Sequence, residues 1–334
     1  MKKLAFISFI SCIVLVQACS NPQPRTARSV GATSEILVVT QSQKQWDNAP
    51  GEAIRGFFAR DQYGLTQAEP HFSIANILVP NLSEMFKKHR NMLLVEIDPK
   101  LEEAVVETRS DIWAKPQRII KITAPNAESW VNTFDQHKEG FAILFNRSER
   151  ERLMNIFRPT ADYKIIREIE KTMDFKLLVP EGFFVAKNTG NFMWIRKEVA
   201  DYSQGILLYV RPYNDTADLS ASRIIKVRDS LLQKYVPGPV DNSFMSTDKE
   251  FILPKSRPIA EYITDYAVET RGVWNVVGDF MAGPFVSYTI VDERYGRLIT
   301  VEGYVYAPNK PKRDYLRQLE AILYTLELPD KDPA

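Results

Sequence analysis

Beyond position 19 the chain has no thiol. Its two cysteines are Cys12 and Cys19, so the remainder can form no disulfide, thiolate metal site or cysteine nucleophile. The three histidines, His71, His89 and His137, stand far apart without a metal-ligand spacing, and no metal or cofactor is expected. His89 follows Met85 and Phe86 at helical spacing, which predicts a partly buried, hydrogen-bonded imidazole. His137 is placed at a helix end, where a cation is favourable. There is no G-x-S-x-G elbow, phosphate-binding loop or dinucleotide fingerprint, so the usual entry points to hydrolase, nucleotide and nicotinamide chemistry are missing. Carboxylates such as Asp292 with Glu293, Asp265 with Glu269, or Asp279 with Glu302 are of the kind a glycosidase uses. Among 42 acidic residues, however, such pairs also arise by chance.

The most distinctive stretch runs from Gly278 to Phe285, GDFMAGPF, where two glycines and a proline punctuate a loop with large apolar side chains. One reading makes it the wall of a binding groove lined by Arg271, Trp274, Asp279, Phe280 and Glu302, by proximity in sequence. The other makes it a tight turn in which Asp279 bonds its own backbone and Phe280 fills the core. Lys87-Lys88-His89-Arg90-Asn91 is the compact basic cluster, read as a solvated helix end.

The start of the chain concerns address. Lys2 and Lys3 precede an apolar run, Leu4 to Val16, and then Gln17, Ala18, Cys19 and a polar stretch, the order of an export leader. The run is about two-thirds of the roughly 20 residues a spanning helix requires. Val16-Gln17-Ala18-Cys19 resembles the lipobox of bacterial lipoproteins, which implies cleavage before Cys19, acyl chains on it, and a lipid bilayer as partner. Residues 1–18 are thus a signal peptide, and 19–33, polar with Pro22, Pro24 and Gly31, a flexible tether. The formal charge is +1, or −1 once Lys2 and Lys3 leave with the leader. Acids and bases are interspersed, and no nucleic-acid partner is expected.

These segments hold up a folded part beginning near Glu35, with 45% hydrophobic residues to form a core. Its first half, 34–158, reads as strands at Glu35 to Thr40, Met92 to Asp98, Ala104 to Arg109 and Arg118 to Thr123. Helices are placed at Pro50 to Arg60, Leu82 to Arg90, Pro125 to His137 and from Ser148 onward. Asn81 with Glu84 resembles a capping box. The second half, 159–330, reads as a helix from Asp162 to Met173 and strands at Phe175 to Val179, Phe183 to Lys187, Phe192 to Lys197 and Gly205 to Arg211. A helix from Ser220 to Tyr235 follows, then strands near Ala260 to Val276, Pro284 to Asp292 and Arg297 to Tyr306, and a helix from Pro311.

Ala104-Val-Val-Glu-Thr-Arg109 echoes Ala267-Val-Glu-Thr-Arg271; each is followed by a tryptophan, an Arg-led strand and Ala-Pro-Asn. A duplication would explain two related halves; so would the preference of strands for Val, Thr and Trp. Clustered strands with hairpins predict an α+β fold, with antiparallel-rich sheets and packed helices.

Several phrases together resemble a known family: SEILVV with Ala53-Ile54-Arg55, FKKHRN at 86–91, GDFMAGPFVS at 278–287, and EGYVYAP at 302–308 before Lys312-Arg313. The chain resembles, over nearly its whole length after the tether, uncharacterised lipoproteins of Bacteroidetes, domain of unknown function 4837. The resemblance implies a Gram-negative envelope and no known activity or catalytic residues. Ser20 to Gln23 lack an acidic surface-export run, pointing to the periplasmic face of the outer membrane, with the inner membrane left open. In such bacteria Asp215-Thr216-Ala217 resembles an O-glycosylation acceptor. The expectation is a non-enzymatic, membrane-anchored binding or scaffolding protein with an envelope protein or glycan as partner. A carboxylate hydrolase of envelope polymers and an aromatic glycan-binding module are the alternatives.

Overall fold

Near-continuous apolar runs such as Ile36-Leu37-Val38-Val39 and Met92-Leu93-Leu94-Val95 have no polar face to turn to water, and such runs belong in strands covered on both sides. A computed structural model describes residues 27–260, 262–264 and 266–329. The leader and Cys19 lie outside them.

The first part runs β1 (Glu35–Thr40), α1 (Gln43–Asp47), α2 (Ala49–Phe58), β2 (Ser73–Leu78), α3 (Glu84–Lys87), β3 (Asn91–Ile97), β4 (Val105–Ser110), β5 (Arg118–Ala124) and α4 (Ala127–Phe157). Its sheet has the order β2-β1-β3-β5-β4. The pairings of β1 with β2 and β3, and of β3 with β5, are parallel; β4 is an antiparallel edge. One face carries α2 and α4 through Ile54, Phe57, Phe58, Trp130, Phe134 and Phe145. The opposite face is closed more thinly by Leu82, Phe86 and Trp113.

The second part runs α5 (Tyr163–Met173), β6 (Phe184–Asn188), β7 (Phe192–Val199), β8 (Tyr202–Pro212), α6 (Ala221–Tyr235), β9 (Phe244–Thr247), β10 (Lys255–Ile259), β11 (Ala267–Val277), β12 (Ala282–Asp292), β13 (Arg297–Tyr306) and α7 (Arg313–Leu323). Its eight strands are antiparallel, in the order β10-β11-β12-β13-β8-β7-β6 with β9 beside β11. Alternation sends Ile206, Leu208, Tyr288, Ile299 and Val301 toward α5 and α7. It sends Leu207, Tyr209, Trp274, Phe285 and Tyr304 toward α6. A side chain at Gly303 would press within 2.7 Å of the Leu319 Cβ, so the glycine lets α7 lie close on the sheet.

The fold is α+β, with antiparallel pairings in the majority, as the strand clusters predict. The parallel interior of the first sheet departs from the hairpin picture, and the reason is burial on both faces. The echoing segments occupy unlike places: Val105–Ser110 is a half-exposed edge strand, whereas Ala267 to Arg271 belongs to a buried strand inside the larger sheet. The likeness therefore does not extend to topology. α4 is one helix of 31 residues, capped where the Asn126 side chain accepts from the Ser129 amide; the two helices predicted there are its ends, and His137 lies in its middle. α3 spans only four residues, with Ser83 as N-cap and no side-chain capping bond. Phe175 to Val179 forms no strand beyond one bridge, Lys176 to Glu327.

The last residues of the segment read as a tether, 28–33, are ordered. Arg28 bridges to Lys115 and Val30 to His89, and the Glu35 carboxylate accepts from the Ala32 amide, so residues 28–33 form a strap against the first sheet. The two parts meet in polar contacts. Glu69 accepts from the backbone N–H groups of Lys312 and Arg313 at 2.6 and 3.0 Å, capping α7 from more than 240 residues away. Arg317 reaches the His71 carbonyl and Asn146.

Candidate functional site

The five residues grouped around the Gly278 loop do not converge. Three positions apart on a strand means opposite faces: Trp274 is buried on the α6 side with its indole N–H on the Val305 carbonyl, while Arg271 points the other way to Glu269 and Glu320. Gly278 turns the chain with φ of +88°, and Asp279 accepts from the Met281 amide, so this is a hairpin turn. Phe280 neither lines a groove nor fills the core; it is fully exposed at the tip. Glu302 is fully buried, gripped by Arg228 through bonds of 2.7 and 2.8 Å. Burial pushes the Glu302 carboxyl up, and the Arg228 guanidinium offsets part of that rise.

The other carboxylates are likewise committed to internal pairs. Burial would raise Glu269, but Arg271 and Arg257 outweigh it and bring the group down to about 2. Asp292 is held by Arg297 at 2.8 Å, and Asp265 lies outside the described residues. Glu269, Asp292 and Glu302 thus lack the solvent-facing geometry a glycosidase pair requires.

His89 is buried as its spacing predicts, although outside a helix, with one ring nitrogen 2.9 Å from Glu35 and the other 2.9 Å from the Asn91 carbonyl. His71 is pushed down by burial and by neighbouring arginines, Arg317 foremost. His137 stacks on Phe141. In the basic cluster, Lys87 pairs with Glu84 and Arg90 with the buried Glu149, so it is only partly a solvated end. Among the described residues no three His, Asp or Glu side chains are grouped to hold a metal, and no helix is long and apolar enough to cross a membrane.

A different place gathers chemistry. A cleft of about 610 Å³ opens where the second half of α4 faces the β4–β5 connection and the ends of the second sheet's loops. Five cationic side chains line it, Lys115, Arg118, Arg147, Arg150 and Arg158, against two acidic ones, Asp111 and Glu151. Lys115, Arg118, Arg150 and Arg158 have no carboxylate within ion-pair distance among the described residues. The Nε of Arg118 is buried without an acceptor. Arg150 lies over the Tyr324 ring, 3.8 Å from its centre. Tyr262 beside it is fixed through its hydroxyl to the Leu323 carbonyl.

The wall is rigid. Buried Arg152 donates to the Pro116 and Arg90 carbonyls and pairs with Glu149. Gln117 donates to the carbonyls of Lys87 and His89, and its own amide bonds to Asp111.

A larger concavity, about 890 Å³, lies by Thr216, Tyr266 and Arg294; its arginine and one carboxylate are paired, Arg294 with Asp174 and Asp292 with Arg297, and its other charge, Glu293, is acidic and exposed. Thr216 is exposed at its rim, in a short turn capped by Asp215.

Part of the cleft was readable. Arg147, Arg150, Glu151, Met154 and Arg158 recur at three- and four-residue steps along one side of a helix. Lys115 and Arg118, about 30 residues earlier, join them only through the pairing of β5 with β3 and β4.

Residues 162–325 match a family described as a domain of unknown function (DUF4837), and residues 29–158 match a second, also a domain of unknown function (DUF8532). No curated protein matches the chain. The sequence resemblance extends one family along nearly the whole chain, whereas the matches divide it at 158–162. Both parts of the chain are thus matched to uncharacterised domains.

Proposed function

We propose that this chain is a lipid-anchored binding protein of the bacterial cell envelope, and that the cleft between α4 and the second sheet receives an anionic ligand. The leader order and Cys19 support the address. One observation carries the binding reading: four cations around one concavity lack carboxylate partners among the described residues, while Arg152, Arg228, Arg271 and Arg297 are ion-paired. Guanidinium groups in this state bind phosphate or carboxylate by charge-assisted, often bidentate hydrogen bonds. Tyr324, held beneath Arg150, adds a flat apolar surface. The carboxylate-hydrolase alternative loses its residues, since Glu302 is sealed behind Arg228.

Two measurements test this. Intact mass of the protein purified from native membranes carries acyl groups on Cys19, and a Cys19→Ala variant loses them; an unacylated mature protein overturns the address. Calorimetric titration of the acylated chain in neutral detergent shows binding of inorganic phosphate, glycerol phosphate or citrate but not of neutral glycerol. Absence of heat and of thermal stabilisation with every anion overturns the cleft. The exposed Thr216 fits a glycan acceptor, and an unchanged mass in Thr216→Ala ends that idea.

A further inference from the structure

The strap places the cleft in relation to the membrane. The Lys115 amide donates to the Ala27 carbonyl at 2.8 Å and the Ser29 amide to the Lys115 carbonyl at 3.3 Å. Lys115 itself lines the cleft. Two further bonds, Val30 to the Lys88 carbonyl and Arg90 to the Val30 carbonyl, continue the attachment. The imidazole of His89 closes over Gly31, where a Cβ would come within 2.4 Å of its ring. The chain therefore leaves its last pinned position at the rim of the cationic cleft.

From Ala27 back to Cys19 is eight residues. Their covalent reach is at most about 29 Å, whatever conformation they take. A lipid carried on Cys19 thus keeps the Lys115 rim within one such length of the bilayer, where phosphate-bearing headgroups are concentrated. Attraction of Lys and Arg to an anionic surface falls off within a Debye length, about 8 Å at physiological salt, so it acts only when the connection is far from fully extended; the tethering itself raises the concentration of headgroups around the cleft.

We infer that the ligand of the cleft is the net-anionic phosphate headgroup of a lipid in the membrane that holds Cys19. Arg118 and Arg158, both on the lining of the cleft, donate to the phosphate oxygens. Arg150 and Tyr324 flank the remainder of the headgroup. This inference rests on the anion-binding reading above and adds the source of the anion.

The test uses the full acylated chain and separates the two claims. In neutral detergent it is titrated with inorganic phosphate, glycerol phosphate and dihexanoyl phosphatidic acid. In nanodiscs, hydrogen exchange of segments 111–118 and 147–158 is compared between phosphatidylcholine alone and phosphatidylcholine with phosphatidic acid. The short-chain lipid binds about tenfold tighter than inorganic phosphate or glycerol phosphate, the gain of its glycerol ester portion against Tyr324. Exchange of both segments slows only with phosphatidic acid, and Arg118→Gln with Arg158→Gln abolishes both effects while leaving the far-ultraviolet spectrum unchanged. If free phosphate or glycerol phosphate binds as tightly as the lipid and exchange is the same in both nanodiscs, the membrane source is wrong and the anion cleft stands. If no anion binds, the cleft reading falls as well.

Discussion

Arg228 and Arg118 show the two ways this molecule holds a guanidinium. Arg228, fully buried between α6 and the sheet, meets Glu302 through two nitrogens, donates to Thr247, and lies 3.9 Å from the centre of the Phe285 ring. Arg118, at the start of β5, has no carboxylate, and its Nε is enclosed without an acceptor. Pairing is a structural device in the interior, and the cleft's cations, without such pairs among the described residues, are the ones proposed to meet an outside anion. Of the candidates suggested by chain proximity, Arg271 and Glu302 belong to the first class, and the five do not converge.

Breaking the interior pair has the largest expected effect. Arg228→Ala strands Glu302 and lowers unfolding free energy by about 3–5 kcal/mol in urea titrations. Replacing both partners, Arg228→Met with Glu302→Leu, recovers most of that loss, because the desolvation of two charges disappears with them. A small effect of Arg228→Ala alone removes the distinction between the regions.

Acid sharpens the comparison next. Glu269 is brought down to about 2 from an ordinary 4.5. Its stabilisation is complete above about pH 4.5 and is lost as pH falls toward 2, with a magnitude on the order of 3 kcal/mol. Glu302, pushed up by burial despite Arg228, has the opposite sign. Its contribution is fully present below the ordinary carboxylate range and declines as pH rises through its raised value. Stability measured against pH flattens on the acid side in Glu269→Gln, whereas Glu302→Gln removes the decline on the higher side. An unchanged acid limb in Glu269→Gln contradicts the account.

The junction between the parts is more modest. Glu69→Ala deletes the acceptor for two amides at the start of α7 and costs about 1 kcal/mol, as lost caps do. Heat-capacity scans show a lower or broadened transition, and an unaltered scan denies Glu69 this role.

Local chemistry made much of the fold legible. Asp162 announces α5 and its carboxylate does accept from Lys164 and Ile165; alternation places β7, β8, β12 and β13. The parallel interior of the first sheet was written in the unalternating runs of β1 and β3, a signal that also suits buried strands of other kinds. β2 was missed because Ser73, Ala75 and Asn76 dilute its apolar pattern, although parallel pairing to β1 holds it. α4 was divided because Gly140 and charged residues blur its middle, while its packing on Phe57 and Phe58 carries the helix through. The cap of α7 was unreadable, for its acceptor comes from Glu69 in the other part. Most of the cleft shared that difficulty: four walls from distant segments meet only in three dimensions.

The most direct test compares the unfolding free energy of the Arg118→Gln, Arg158→Gln protein with that of the parent, with and without phosphatidic acid of short chain length. Without ligand the two agree within about 0.5 kcal/mol, as substitutions outside structural pairs do, and ligand stabilises the parent alone. A loss of about 2 kcal/mol without ligand, or equal stabilisation of both proteins by it, contradicts the claim that these cations are kept for an anion.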